Sequence, residues 1–224
     1  MINKLINIKI SGVLFDLDGT LLDTANDLGE ALNFVLRKYG LAEVAREDYR
    51  PIASDGALGL LTLGFSDSLK KYNYEQLRAE FLAYYEDNIA VHTCLYPEVS
   101  ELLLTLNERK IPWGVVTNKP EGLTRLLLPY FDEFEHCLSL IGGDTLVNRK
   151  PHPEPIFKAC EEISVASEHC LYVGDALRDI QAGNSAKSTT VIAKWGYILA
   201  NEDCTTWHAD YHAETPLEIL RLIK

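Results

Sequence analysis

Residues 13–20 read Val13-Leu14-Phe15-Asp16-Leu17-Asp18-Gly19-Thr20. An apolar run is followed at once by two carboxylates two positions apart, and Gly19 then lets the backbone turn sharply. Such a run reads as a short strand buried on both faces. Unpaired carboxylates at that depth are costly, and a divalent cation is a natural partner for clustered Asp oxygens. Taken alone, the stretch is equally what an Asp-Gly turn looks like.

The same texture recurs along the chain. Ile10–Asp16, Trp113–Thr117, Cys137–Ile141, Cys170–Val173 and Thr189–Ile192 are apolar runs rich in Val, Ile and Leu. Helical patterns separate the later ones, at Glu98–Glu108, Leu123–Leu128, Pro153–Ile163 and Asp179–Ser185. Strand alternating with helix predicts an α/β fold, a doubly wound parallel sheet with helices on both faces. The interval from about Leu22 to Val91 breaks the rhythm and holds no convincing strand. Asp23–Tyr39 reads as a long amphipathic helix with Leu28, Leu32, Val35 and Leu36 on one stripe. Ala57–Leu63 reads as a short helix and Tyr74–Ile89 as another long one. A helical block inserted after the first strand, with its ends close together, looks like a small second domain.

Three further segments carry chemistry. Val115-Val116-Thr117-Asn118-Lys119 sets a hydroxyl and an amide at a strand end, where they can donate to phosphate oxygens. Its plainer reading is a threonine capping the next helix. Asn148-Arg149-Lys150-Pro151-His152-Pro153-Glu154-Pro155 holds a lysine in a proline-stiffened loop before a helix. That lysine can pair with an anion, although such loops are more often plain surface. Tyr172-Val173-Gly174-Asp175-Ala176-Leu177-Arg178-Asp179 adds two carboxylates after a buried strand, and Asp179 also suits a helix start. In a doubly wound sheet the strand ends meet in one crevice where ligands bind.

The order of these segments is specific: D-x-D-G-T, a strand ending in Thr, a Lys-Pro loop, then G-D-x-x-x-D. In this the whole chain resembles the haloacid dehalogenase superfamily of phosphatases, in the subfamily with an inserted helical cap. The resemblance implies a catalytic core over residues 1–21 and 92–224 and an all-α cap over 22–91. It implies Asp16 as the nucleophile that forms an aspartyl-phosphate and Asp18 as general acid, then base. Thr117 would hold the transferring phosphoryl group, and Lys150 would offset the charge of nucleophile and phosphate. Mg²⁺ would be bound by Asp16, by Asp18 through its backbone carbonyl, by Asp175 and by Asp179. Asn118, Arg50 and the loop Ser54-Asp55-Gly56 are candidate substrate-binding residues, the loop because relatives place a specificity loop between cap helices. One departure is visible. Where relatives close the helix after G-D-x-x-x-D with Ala-Gly, this chain reads Gly183-Asn184-Ser185-Ala186-Lys187-Ser188.

Composition bounds the partners. The 224 residues carry 21 Lys and Arg against 33 Asp and Glu, for a formal net charge of −12. That argues against general nucleic-acid binding, which needs a basic face. A small phosphorylated metabolite remains compatible, since a metal and one or two lysines override the global field locally. Leu5–Ile8 is too short an apolar run for a signal peptide, and no stretch approaches the ~18 apolar residues of a membrane span. The five cysteines, Cys94, Cys137, Cys160, Cys170 and Cys204, show no metal or redox spacing and read as reduced thiols of a cytoplasmic protein. His208 and His212, four apart, have helical metal-pair spacing but lie among β-formers such as Tyr211. Monomer and homodimer are both open at this stage.

Within the family two substrates compete, N-acetylmuramic acid 6-phosphate and 2-phosphoglycolate. Trp113–Pro120, Gly174–Ile180, Gly196-Tyr197-Ile198 and Trp207-His208-Ala209-Asp210 lean slightly toward members acting on the amino sugar. A phosphosugar mutase, a hydrolytic dehalogenase and a non-catalytic phosphate-binding module are the competing classes. The dehalogenase needs neither Asp18 nor Gly19-Thr20, and degenerate modules lose an acidic or lysine position that is kept here.

Overall fold

The computed structural model describes residues 9–199 and 202–223. The segment Leu5–Ile8 lies outside them. In chain order the strands are β1 (Gly12–Phe15), β2 (Leu22–Asp23), β3 (Cys94–Leu95), β4 (Trp113–Val116), β5 (Leu140–Ile141), β6 (Cys170–Gly174), β7 (Thr189–Ala193) and β8 (Tyr211–Ala213). The α-helices are α1 (Ala25–Lys38), α2 (Arg46–Tyr49), α3 (Gly56–Phe65), α4 (Tyr74–Asp87), α5 (Val99–Glu108), α6 (Glu121–Leu127), α7 (Glu154–Glu162) and α8 (Leu177–Ser185).

Six strands form one sheet in the order β5-β4-β1-β6-β7-β8, and every pairing in it is parallel. The chain starts at the centre, runs outward through β4 and β5, then crosses back to β6 and proceeds the other way. That reversal beside β1 opens a crevice at the carboxyl ends of β4, β1 and β6. The period-2 alternation of a strand separates two apolar layers. Val13, Phe15, Val115, Leu171 and Val173 pack on one face with Leu102, Leu103 and Leu106 of α5. Leu14, Val116 and Tyr172 pack on the other with Ile156 and Ala159 of α7 and Ala182 of α8. Both faces are therefore covered, as the continuous apolar strands require.

The helical block is built from α1 to α4. Leu28, Leu32, Val35 and Leu36 of α1 meet Leu60, Leu61 and Phe65 of α3 and Leu77, Phe81 and Tyr85 of α4 in the same apolar cluster as the first sheet face. The expectation of no strand from Leu22 onward needs correction, because β2 pairs antiparallel with β3. This two-stranded ribbon ties the entry and exit of the block together. Its residues are too few to show alternation, so a local pattern had no means of marking it.

The edges of the sheet also differ from expectation. Of Cys137–Ile141, only Leu140–Ile141 forms regular ladder. This is an edge strand, and its earlier part bends away with Leu138 exposed. At the other edge β8 occupies Tyr211–Ala213, so His208 and His212 are not on a helix. His208 caps a 3-10 turn with φ 61° and His212 lies in the strand, which separates the pair. The departure after G-D-x-x-x-D is accommodated simply: α8 ends at Ser185 and Lys187 turns the chain at φ 62° into β7. Among the described residues no helix is long and apolar enough to cross a membrane.

Candidate active site

The carboxyl ends of β1 and β6 place Asp16 and Asp175 side by side, and both are buried. The Nζ of Lys150 lies 2.9 Å from Asp16 Oδ1 and 2.7 Å from Asp179 Oδ1. It also donates to the Val116 carbonyl at 2.9 Å. Lys150 is delivered by the loop before α7, and Asn118 fixes that loop by donating from Nδ2 to the Lys150 carbonyl at 3.0 Å. Asp16 Oδ1 further accepts from the Leu17 amide at 2.7 Å, which leaves Oδ2 for chemistry. Asp179 starts α8. Its Oδ2 accepts from the Ala176 amide at 3.0 Å and its Oδ1 from the Tyr172 hydroxyl at 3.3 Å.

Asp175 is held from three sides. Thr20 donates to Oδ1 at 3.2 Å, and the Tyr197 amide (2.9 Å) and the Ser54 hydroxyl (3.2 Å) donate to Oδ2. Gly19 lies against this carboxylate with φ 84°, and a Cβ there would collide with Asp175 and Tyr197. The glycine is thus required both for its left-handed backbone and for the approach.

Charge is in deficit here. Burial, then the nearby Asp179, lifts the Asp16 carboxyl to about 6 against the pull of Lys150. Burial, then Asp16 and Asp179, lifts Asp175 to about 7. One lysine pairs with two of these three buried carboxylates, and Asp175 is held by neutral donors, which leaves room for further positive charge. Oxygens of Asp16, Asp175 and Asp179 lie within 4.8 Å of one another, a hard-oxygen donor set that fits Mg²⁺.

Asp18 stands apart from this cluster. Its Oδ1 accepts from Thr24 Oγ1 at 2.6 Å and from Lys119 Nζ at 3.2 Å, and its Oδ2 is free among the described residues. Its carboxylate is not among the oxygens that Asp16, Asp175 and Asp179 bring together. Thr117 is buried at the end of β4 and its Oγ1 accepts from the Lys119 amide at 3.2 Å. Asn118 Oδ1 is buried without a partner.

The cap-side candidates divide. Ser54 and Asp55 reach the core: Arg178 donates to the Ser54 carbonyl at 2.7 Å and to Asp55 Oδ1 at 3.0 Å. Gly56, with φ 60°, starts α3 with open space around it. Arg50 is drawn to the ribbon instead. It pairs with Asp23 at 3.3 Å, donates to the Tyr96 hydroxyl at 3.2 Å and lies 5.0 Å over the Tyr197 ring.

Three participants, Lys119, Tyr85 and Tyr197, were not singled out from the sequence, which leaves open whether Arg178 faces the pocket. Lys119 and Tyr85 meet beside Asp18, with Nζ 2.7 Å from the phenol oxygen. Tyr197 links two parts of the site. Its amide holds Asp175, while its hydroxyl accepts from the Thr24 (2.7 Å) and Ala25 (3.0 Å) amides and donates to Asp23 (2.9 Å). Arg178 joins the cap loop to α8. The signal for Lys119 was its place directly after Thr117-Asn118. Tyr85 lies four and eight residues after Phe81 and Leu77 and looked like core.

The signature of haloacid dehalogenase-like hydrolases matches residues 13–193. This chain belongs to that family. It is 42% identical over 207 residues to a phosphoglycolate phosphatase of Xanthomonas campestris pv. campestris, covering 92% of this chain and 93% of that one. It is 36% identical over 215 residues to an N-acetylmuramic acid 6-phosphate phosphatase of Pseudomonas putida, covering 96% of each. A solved structure described as a predicted phosphoglycolate phosphatase from Haemophilus somnus superposes with TM-score 0.86 at 26% identity, covering 95% of this chain and 97% of that one. The chain is thus a hydrolase of the haloacid dehalogenase family whose full-length relatives are phosphatases.

Proposed function

We propose that this phosphatase removes phosphate from a small phosphorylated metabolite through an aspartyl-phosphate on Asp16. The observation that carries the reading is Lys150 clamped between Asp16 and Asp179, with the second oxygen of Asp16 left uncommitted. That oxygen attacks phosphorus and the ester oxygen leaves. Asp18, at the mouth of the crevice, gives the leaving oxygen its proton. The carboxylate of Asp18 then takes a proton from water, whose oxygen attacks the acyl phosphate, freeing phosphate and restoring Asp16. Thr117 and the amides after β4 donate to the transferring group. Lys150 compensates charge on its oxygens and on Asp16.

Asp16, Asp175 and Asp179, with the Asp18 carbonyl, would hold Mg²⁺. When bound it would offset the repulsion between the carboxylates and an anionic phosphate. The block from 22 to 91 serves as a cap. Its Ser54-Asp55 loop, docked on Asp175 and Arg178, closes the crevice and excludes water.

The relatives put two substrates forward, 2-phosphoglycolate and N-acetylmuramic acid 6-phosphate. The deciding measurement is phosphate release with Mg²⁺ from both, compared by kcat/KM. Preference for the sugar makes the cap face a sugar reader, and preference for phosphoglycolate makes it a reader of a two-carbon acid. A stoichiometric phosphoenzyme with no free phosphate would replace the hydrolase reading with a mutase.

A further inference from the structure

Lys119 is almost wholly buried, with 4% of its side chain exposed. Burying a lysine is costly unless it is paired. Its Nζ donates to Asp18 Oδ1 at 3.2 Å and to the Tyr85 hydroxyl at 2.7 Å, and lies 4.3 Å from the centre of the Tyr85 ring. Asp18 belongs to the sheet end and Tyr85 to α4, so this one side chain spans from the core to the helical block. An ammonium has three donors, and two are used. The Tyr85 hydroxyl accepts from Lys119, and its own hydrogen finds no acceptor among the described residues. Burial pushes the phenol up to about 12, so that hydrogen stays in place. Two donors therefore stand unused beside Asp18. A purely architectural contact would not need them, since an apolar pair would fill the space without the desolvation cost.

We propose that Lys119 and Tyr85 form a subsite that reads a hydrogen-bond-accepting oxygen on the leaving group, next to the ester bond. This rests on the phosphatase reading above and deepens it. The position decides which part of the substrate is read. Lys150 and Thr117 occupy the phosphoryl side, whereas Lys119 touches the residue that serves the leaving oxygen. The charge of Lys119 is already matched by Asp18, so the subsite asks for an acceptor oxygen and not for a net charge. A carboxylate of a hydroxy-acid phosphate and a hydroxyl or ring oxygen of a sugar phosphate both supply it.

Tyr85→Phe keeps the ring under the ammonium and removes only the hydroxyl. The readout is kcat/KM on 2-phosphoglycolate and on N-acetylmuramic acid 6-phosphate, each divided by kcat/KM on phenyl phosphate. The leaving group of phenyl phosphate carries no acceptor beyond the ester oxygen, and the ratio cancels any loss of folded enzyme. For the substrate the unaltered enzyme prefers, the ratio falls about tenfold, which corresponds to about 1.4 kcal/mol, mostly through KM. Lys119→Arg, which keeps the charge but re-spaces the donors, lowers it in the same direction. A fall confined to phosphoglycolate identifies a carboxylate reader, and one confined to the sugar a hydroxyl reader. A ratio within twofold of the original in both variants overturns the subsite while leaving the phosphatase intact. Failure of the unaltered enzyme to release phosphate from any of the three overturns both.

Discussion

The floor of the crevice and its cap-facing rim handle buried charge in opposite ways. On the floor, one lysine pairs with Asp16 and Asp179 and none pairs with Asp175 among the described residues, and burial holds two of the carboxyls well above their ordinary range. On the rim each cation has its own anion: Lys119 with Asp18, Arg50 with Asp23, Arg178 with Asp55. The floor is thus kept short of positive charge, which favours a cation there and makes an anionic phosphoryl group depend on that cation. The rim is balanced, so it orients and encloses without pulling strongly. Removing a floor carboxylate should therefore abolish chemistry at little cost to the fold, removing Lys150 should cost both, and substitutions on the rim other than at Asp18 should mostly tune binding.

The largest break is expected at Asp16. Asp16→Asn removes the attacking oxygen, and turnover should fall by at least about 10⁴. Metal-free Tm should hold or rise, because one of the crowded carboxylates has gone. Substantial residual phosphate release would remove Asp16 from the nucleophile role. Asp18→Asn should cost about 10²–10⁴, the usual worth of an acid/base group. Its phosphoenzyme should accumulate, detectable as a mass increase after acid quench. Lys150→Met should lower kcat by about 10²–10³. It should also destabilise by about 3–5 kcal/mol, because it strands buried carboxylates. Denaturant unfolding separates this from Asp16→Asn, and an unchanged midpoint would show that Lys150 does not balance the floor.

The floor was legible in the sequence because Asp16 and Asp175 directly follow buried strands, Lys150 sits in a proline-bound loop and Asp179 opens the helix after β6. β1 and β6 are neighbours in the sheet, so order along the chain translated into proximity. The rim was not legible for the complementary reason. Lys119 and Tyr85 are brought together by the packing of α4 against the core, and nothing near Tyr85 distinguishes it from Phe81. The partners of Arg50 were hidden in the same way. A lone arginine before a cap loop suggested substrate contact, and the ribbon of β2 and β3, too short to see in sequence, puts Asp23 and Tyr96 within its reach.

A metal should reverse the shortage on the floor, and pH reports it. Asp16 at about 6 and Asp175 at about 7 both lie above the ordinary 3.8. The folded chain therefore holds more protons than the unfolded chain between about pH 4 and 7. Metal-free stability should fall as pH rises through that window. A cation needs the same oxygens deprotonated, so saturating Mg²⁺ should add little at pH 5. At pH 8 it should raise Tm by about 5–10 °C, the effect of a ligand near 100 Kd on a chain of this size. Equal increments at both pH values would place the cation elsewhere.

The smallest effect is expected where rim and floor touch. Arg178 binds Asp55 of the cap loop, yet it also stands near Asp16, Asp175 and Asp179. Asp55→Asn removes only the first relation. The Asp55 side chain is 56% exposed, and exposed pairs are worth about 0–1 kcal/mol. KM should therefore rise no more than about fivefold, with kcat and Mg²⁺ affinity unchanged. Arg178→Leu removes both relations. Loss of its charge deepens the deficit on the floor, so Mg²⁺ should bind more tightly while the cap loop loses its anchor and KM rises further. If Arg178 were only a latch, the two variants would match in KM and neither would alter Mg²⁺ affinity. A difference in metal affinity alone, measured by calorimetry on the substrate-free proteins, separates charge compensation from cap closure.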